Sequence, residues 1–238
     1  TLLSAFQTVP PLSVTADKFM SSFLGMGSHW SMRPRRNLQN EDIVVVIDGS
    51  GSVGSCEFDK GKKALVHLMG KMVRPDRDTR YAAVTFSSYS QVNFKFTPHS
   101  IAASRIMNIP YPGGSTNTQA GLAEAKRLLF DDPSSGRRGS SEKVVILITD
   151  GQSNEQPHLT IPNAQELKKR QVKILVVAVG SYISGIDEMV KVASDPPTDH
   201  MFRVKSLGEF HDIVRLILDK VFPGKWKISS DPPCGYGK

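Results

Sequence analysis

The chain has 238 residues, 39% of them hydrophobic, and a formal net charge of +7 with a pI near 9.4, enough apolar content to bury the core of one α/β domain with extra segments at its ends. No apolar run approaches the span of about 20 residues that a transmembrane helix needs, so no membrane insertion is expected. The positive charge is scattered, and its denser spots, Arg33/Arg35/Arg36, Arg137/Arg138 and Lys168/Lys169/Arg170, are not interleaved with aromatic residues as single-strand nucleic-acid binders require, which argues against a nucleic-acid partner.

Residues 1–41 look unlike the remainder and form a flanking segment: Pro10-Pro11, a short amphipathic helix around Lys18 to Leu24, then Gly25, Gly27 and the basic Arg33-Pro34-Arg35-Arg36. Such a composition suits a piece that packs on a domain or stays free of it. Arg33-x-Arg35-Arg36 fits the pattern cut by furin-type processing proteases, but four-residue basic strings are common and an uncut surface segment is the preferred reading. The chain begins at Thr1 without a basic-then-apolar leader, as expected of a soluble, mature fragment.

From Asp42 onward, strands and helices alternate. Ile43 to Ile47 is an unbroken apolar, β-branched run and predicts a short buried strand. It stops on Asp48-Gly49-Ser50-Gly51-Ser52, where a carboxylate and two hydroxyls recur at every second position. Glycines at 49 and 51 let the loop bend and turn Asp48, Ser50 and Ser52 towards one point, where a hard divalent ion accepts oxygen ligands. The same string equally suits a Gly/Ser turn in which Asp48 caps the next helix.

Phe58, Leu65, Leu68, Met69 and Met72 recur at helical spacing and predict a helix over 56–73 that ends before Pro75. Tyr81 to Phe86 is a second strand. Gln91 to Phe96 alternates polar and apolar residues as an edge strand does, with only Ser87 to Ser90 between the two, so the pair should be an antiparallel hairpin. A short helix over 99–107 follows, then a break at Pro110-Tyr111-Pro112-Gly113-Gly114 and a helix over 119–130 with Leu122, Ala125, Leu128 and Leu129 on its inner side.

After a polar loop over 131–141, Lys143 to Thr149 is a second buried strand, and it ends on Asp150-Gly151 as an echo of the first. Helices over 162–170 and 186–193, strands over 172–179 and 201–204, and a last amphipathic helix over 207–221 complete the series before Pro223-Gly224. Residues 223–238, with Trp226 and Pro232-Pro233-Cys234-Gly235, form an irregular tail. This alternation demands a mainly parallel sheet covered on both faces. In such sheets ligands sit outside the carboxyl ends of the strands, which is where Asp48 and Asp150 fall.

Asp48-x-Ser50-x-Ser52, Gly114-Ser115-Thr116-Asn117-Thr118 and Thr149-Asp150-Gly151 occur in this order between the right elements. Together they resemble the metal-ion-dependent adhesion site of von Willebrand factor type A domains and integrin inserted domains, over roughly residues 42–222. The resemblance implies a doubly wound, mostly parallel six-stranded sheet in the order 3-2-1-4-5-6, with one antiparallel edge strand and a single Mg2+ or Mn2+ at its carboxyl edge. It also implies direct ligation by Ser50 and Ser52, a Thr116 that joins or leaves with conformational state, and Asp48 and Asp150 acting directly or through water. Gly114, Ser115, Asn117, Gly151 and Gln152 would rim the ligand face, and the last helix would slide as affinity changes. A Glu or Asp of a protein partner would complete the metal's shell.

Within the family, the stretches Asp48 to Met72 and His200 to Val204 are similar to complement factor B-like members as well as to matrix adhesion proteins. The expected role is therefore a secreted, extracellular module that binds collagen or another matrix protein and does not transform it. A complement-type assembly module, an intracellular domain of the same fold, and charge-driven binding of anionic glycans with a structural metal are the alternatives. Salt would abolish the last, and a chelator would abolish a metal bridge.

An enzyme is not expected. A haloacid-dehalogenase-type phosphatase needs a second Asp where Ser50 stands, and no G-x-S-x-G, H-E-x-x-H or G-x-x-x-x-G-K-[ST] string occurs. The two cysteines, Cys56 and Cys234, lack metal-type spacing. If they pair, they clip the tail to the first helix after the Asp48 loop and imply an oxidising compartment; two free thiols would weaken the extracellular reading.

Overall fold

The computed structural model describes residues 2–24, 39–72, 77–221 and 232–234. The Arg33–Arg36 string lies outside the described residues, as do 223–231 and 235–238 of the tail. Six strands, β1 (Gln39–Asp48), β2 (Arg77–Phe86), β3 (Ser90–Pro98), β4 (Glu142–Thr149), β5 (Lys173–Val179) and β6 (Met201–Val204), form one sheet in the order β3-β2-β1-β4-β5-β6. All neighbouring pairs are parallel except β2 with β3. This is the doubly wound order with a single antiparallel edge, and strand order reverses between β1 and β4.

The helices are α1 (Leu2–Gln7), α2 (Leu12–Lys18), α3 (Ser55–Met72), α4 (His99–Met107), α5 (Thr118–Lys126), α6 (Thr160–Lys169), α7 (Ile186–Val192), α8 (Pro197–His200) and α9 (Leu207–Val221). Successive side chains of a strand point to opposite faces, so β1 divides the core. Ile43, Val45 and Ile47 pack with residues of α3, α4 and α9, while Val44 and Val46 pack with α5, α6 and α7. All five are at most 1% exposed, and burying each is worth roughly 1.5–3 kcal/mol. With both faces sealed, the strand that delivers Asp48 has little freedom to shift.

A glycine allows α5 to approach the sheet closely. A Cβ at Gly121 would stand 2.8 Å from Val46 and 2.9 Å from Phe86, inside contact distance. The disulfide between Cys56 and Cys234, with Cα atoms 5.9 Å apart, fixes the tail to the first turn of α3.

Several features depart from the sequence expectations. The helix expected around Lys18 to Leu24 starts sooner, as α2 at Leu12 directly after Pro11, and ends in a π-helical turn over Phe19–Phe23; a proline suits a helix entrance, where no N–H is needed. This flanking segment packs on the β6 edge: Phe19 stacks on Phe202 with centroids 3.8 Å apart, and Arg203 Nε donates to the Phe6 carbonyl at 2.8 Å. Lys18 donates to the Met201 carbonyl between the Phe6 and Phe202 rings, and burial pushes its ammonium down to about 8 against a smaller opposing pull from Asp199.

Neither α1 nor the short α8 was foreseen. β1 also begins at Gln39, four polar residues ahead of its apolar run. Ion pairs explain the extension. Glu41 pairs with Arg77 at 3.2 Å, and the fully buried Asp42 accepts from Arg138 Nε at 2.9 Å, the Arg138 amide at 2.6 Å and Ser141 Oγ at 2.7 Å.

Removing one partner of a buried, hydrogen-bonded ion pair is strongly destabilising. Asp42→Ala should lower the unfolding free energy by about 3 kcal/mol, measured by urea denaturation. A loss below about 1 kcal/mol, the scale of an exposed pair, would mean that the network contributes little.

Candidate metal centre

Asp48 is the last residue of β1 and is 1% exposed. Its two oxygens are both engaged: Oδ1 accepts the Ser50 amide at 2.8 Å and Oδ2 accepts Thr149 Oγ1 at 2.7 Å. Ser50 Oγ lies 3.0 Å from Ser52 Oγ, which donates to Asp150 Oδ1 at 3.0 Å. Four of the five expected ligands thus stand in one hydrogen-bonded chain of oxygens across the β1–β4 boundary. The fifth, Thr116, is buried on the adjoining loop, and that loop is pinned to the same place because Gly51 donates to the Gly114 carbonyl at 2.8 Å.

The glycines serve a different purpose from the one their turn preference suggests. Neither Gly49 nor Gly51 adopts a left-handed φ. A Cβ at Gly49 would lie 2.5 Å from the Pro112 ring, and one at Gly51 3.4 Å from the Gly114 carbonyl. Gly49 is small so that the 110–114 loop can close over the Asp48 loop, whereas a Cβ at Gly51 would make an ordinary contact. Tyr111 secures that closure by donating its hydroxyl to the Ser50 carbonyl at 2.9 Å.

A second layer holds the rim. Asn117 receives the Ala120 amide at the start of α5 and reaches the Ser88 carbonyl at 3.1 Å; Ser115 donates its amide to Ser88 Oγ at 3.0 Å. Asn154 accepts the Thr116 amide at 2.9 Å, and Glu188 accepts the Ser153 amide at 3.0 Å from the far side of the loop. Gly151 is tied to Thr149, and Gln152 is exposed with its side chain against Gly185. The structure therefore gathers Gly114, Ser115, Asn117, Gly151 and Gln152 around the oxygen chain. Sequence reasoning missed Tyr111, Ser88, Asn154 and Glu188; each acts through the backbone of a distant loop, for which a single sequence carries no signal.

Charge is uncompensated at this edge among the described residues. Burial, reinforced by the nearby Asp150 carboxylate, pushes the Asp48 carboxyl up to about 6 from 3.8, and burial raises Asp150 as well. Among the described residues neither carboxylate is ion-paired, and no three His, Cys, Asp or Glu side chains gather into a metal-binding group. The donor set is two carboxylates with hydroxyls, all oxygen, which suits a hard divalent cation.

The model of the von Willebrand factor type A domain family matches residues 42–216. The chain belongs to that family. It is 28% identical to human integrin alpha-D over 214 residues, covering 84% of this chain and 18% of that protein. With mouse vitrin it shares 29% identity over 187 residues, 77% of this chain and 27% of that one, so the chain spans under a third of these relatives. Among solved structures, proximal thread matrix protein 1 of the mussel byssus, in a form with a zinc-occupied MIDAS motif, is similar in fold: the TM-score is 0.63 at 21% identity, covering 78% of this chain and 48% of that one.

An acid whose folded pKa is raised contributes its stability below the ordinary value and loses it as the pH climbs through the raised one. In metal-free buffer the wild type should therefore lose about 2–3 kcal/mol relative to Asp48→Asn between pH 3.8 and about 6. Denaturant midpoints of both proteins across pH 4 to 8 in EDTA measure this; parallel profiles would show that Asp48 carries no such burden.

Proposed function

We propose that the chain is an extracellular adhesion or matrix-assembly module that grips an acidic residue of a protein partner through Mg2+ or Mn2+ held by Asp48, Ser50, Ser52, Thr116 and Asp150. The observation that carries this reading is the pair of neighbouring, desolvated carboxylates supplied with hydroxyls and amides but with no cation from the described chain. A divalent ion offsets the burial that raises both carboxyls and the Asp150 charge that raises Asp48 further. When bound, it would supply a Lewis-acidic coordination position, which neutral hydroxyl ligands leave open to an external carboxylate.

The fold supports that direction of binding. α3 and α5 both begin at this edge, so the positive ends of two helix dipoles face an arriving anion. The Cys56–Cys234 disulfide persists in oxidising surroundings, and integrin alpha-D, vitrin and a byssal matrix protein are among the similar proteins. Collagen or another matrix protein is the class of partner proposed, and binding rather than catalysis is the role.

Calorimetry with Mg2+ and with Mn2+ tests the reading on the wild type, on Asp48→Ala and on Ser52→Ala, whose side chain is exposed. Saturable binding by the wild type that falls at least ten-fold in both variants is expected. Adhesion to immobilised collagen should be abolished by EDTA yet survive moderate salt. A folded wild type that takes up neither ion would sink the metal-bridged reading.

A further inference from the structure

Two exposed aromatic side chains stand apart. Tyr89 is 84% exposed and Tyr182 88%, against 54% for Val14, the next large hydrophobic residue among those described. A single exposed ring means little. These two, however, share the edge that carries the oxygen chain. Tyr89 lies in the turn that leaves the carboxyl end of β2, and Tyr182 in the loop that leaves the carboxyl end of β5. In the run β2-β1-β4-β5 they fall on opposite sides of the β1–β4 boundary, where Asp48 and Asp150 sit.

Both turns are built into the site. Ser87 and Ser88 carbonyls accept the Asn117 amide at 2.9 Å and the Asn117 Nδ2 at 3.1 Å, and Gly114, with φ +106°, packs so closely that a Cβ there would meet Ser88 Oγ at 2.6 Å. On the other side, a Cβ at Gly185 would meet the Gln152 side chain at 2.5 Å, and Ile183, 6% exposed, anchors the loop beneath Tyr182. Two rings are therefore held out to solvent by loops fastened to the metal rim. Between them the loop from Gln152 to Pro157 is largely neutral, with Glu155 its one ionisable residue.

We propose that Tyr89 and Tyr182 are the apolar anchors of the protein ligand, one on each side of its metal-bound carboxylate. The proposal rests on the metal-bridged reading above and deepens it by naming the ligand's chemistry. Three strand spacings separate β2 from β5, about 14–15 Å, so the loops that carry the two anchors leave their strands about 7 Å to either side of the centre; an extended chain advances about 3.3 Å per residue. The ligand is thus an extended segment with one Asp or Glu, and with proline, aliphatic or aromatic residues two to three positions before and after it. Tyrosine suits this task because it offers a large rigid surface at low entropic cost.

A random linear peptide library displayed on phage, selected on the immobilised chain in Mg2+ and eluted with EDTA, tests the proposal. The comparison protein is the Tyr89→Ser/Tyr182→Ser double variant, with Mg2+ affinity of both measured by calorimetry. The wild type should yield peptides with an acid flanked on both sides at the stated spacing. The variant should bind Mg2+ as the wild type does, bind those peptides about ten-fold or more weakly, and select acids without the flanks. Tyr89→Phe/Tyr182→Phe should keep the preference, since the ring is what matters. Acidic peptides without flanking preference, or equal binding by the Ser variant, would overturn the anchors while sparing the metal bridge. Failure to release any acidic peptide with EDTA would overturn the bridge and the anchors together.

Discussion

Everything at the carboxyl edge depends on one buried carboxylate. Asp48 ends a strand sealed on both faces, and both its oxygens are tied, one to the loop that follows it and one to Thr149 of the neighbouring strand. Burying an ionisable group without a counter-charge is costly, and the chain meets that cost only in part, with amide and hydroxyl donors. The loop geometry follows from those bonds. Ser50 is placed by its own amide on Asp48, Ser52 by Ser50, and Asp150 by Ser52.

The opposite end of the same strand shows what the chain does when it intends an acid to be structural. Asp42 is as buried as Asp48, yet Arg138 gives it an amide and a guanidinium, and Ser141 adds a hydroxyl. Six residues apart on β1, one carboxylate has its cation within the described fold and the other does not. The sheet therefore has one end whose buried acid meets a cation within the described fold and one end whose buried acid does not.

Much of this was legible in the sequence, for reasons that can be stated residue by residue. The Ile43–Ile47 and Val144–Ile148 runs are so uniformly apolar that only a doubly covered parallel strand accommodates them, and each delivers its Asp where strand order reverses. The Gln91–Phe96 alternation marked the edge equally well. What was not legible depends on long-range contacts. Gly49 looks like a turn residue, and its need to be small comes from Pro112. Pro10-Pro11 looks like a break, yet Pro11 opens α2, whose continuation brings Phe19 onto Phe202. Glu41 and Asp42 look like a polar lead-in and are buried because Arg77 and Arg138 arrive from elsewhere.

The flanking segment and the disulfide bear on how the site is held. The first turn of α3 follows the Asp48 loop directly and carries Cys56, bonded to the tail, and Glu57, whose Oε2 accepts the Leu207 and Gly208 amides at 2.7 and 3.1 Å. α9 is thereby tethered at its start to the turn behind Ser52, while α2 packs along it and Phe19 meets Phe210 with centroids 5.7 Å apart. A displacement of α9 would have to break two amide bonds to a carboxylate and strip buried aromatic surface, so the oxygen chain and the helix behind it are coupled through one turn of backbone. Any ligand that draws Ser50 and Ser52 forward must work against the same turn. That places the resistance to rearrangement in α3, α9 and the N-terminal flank.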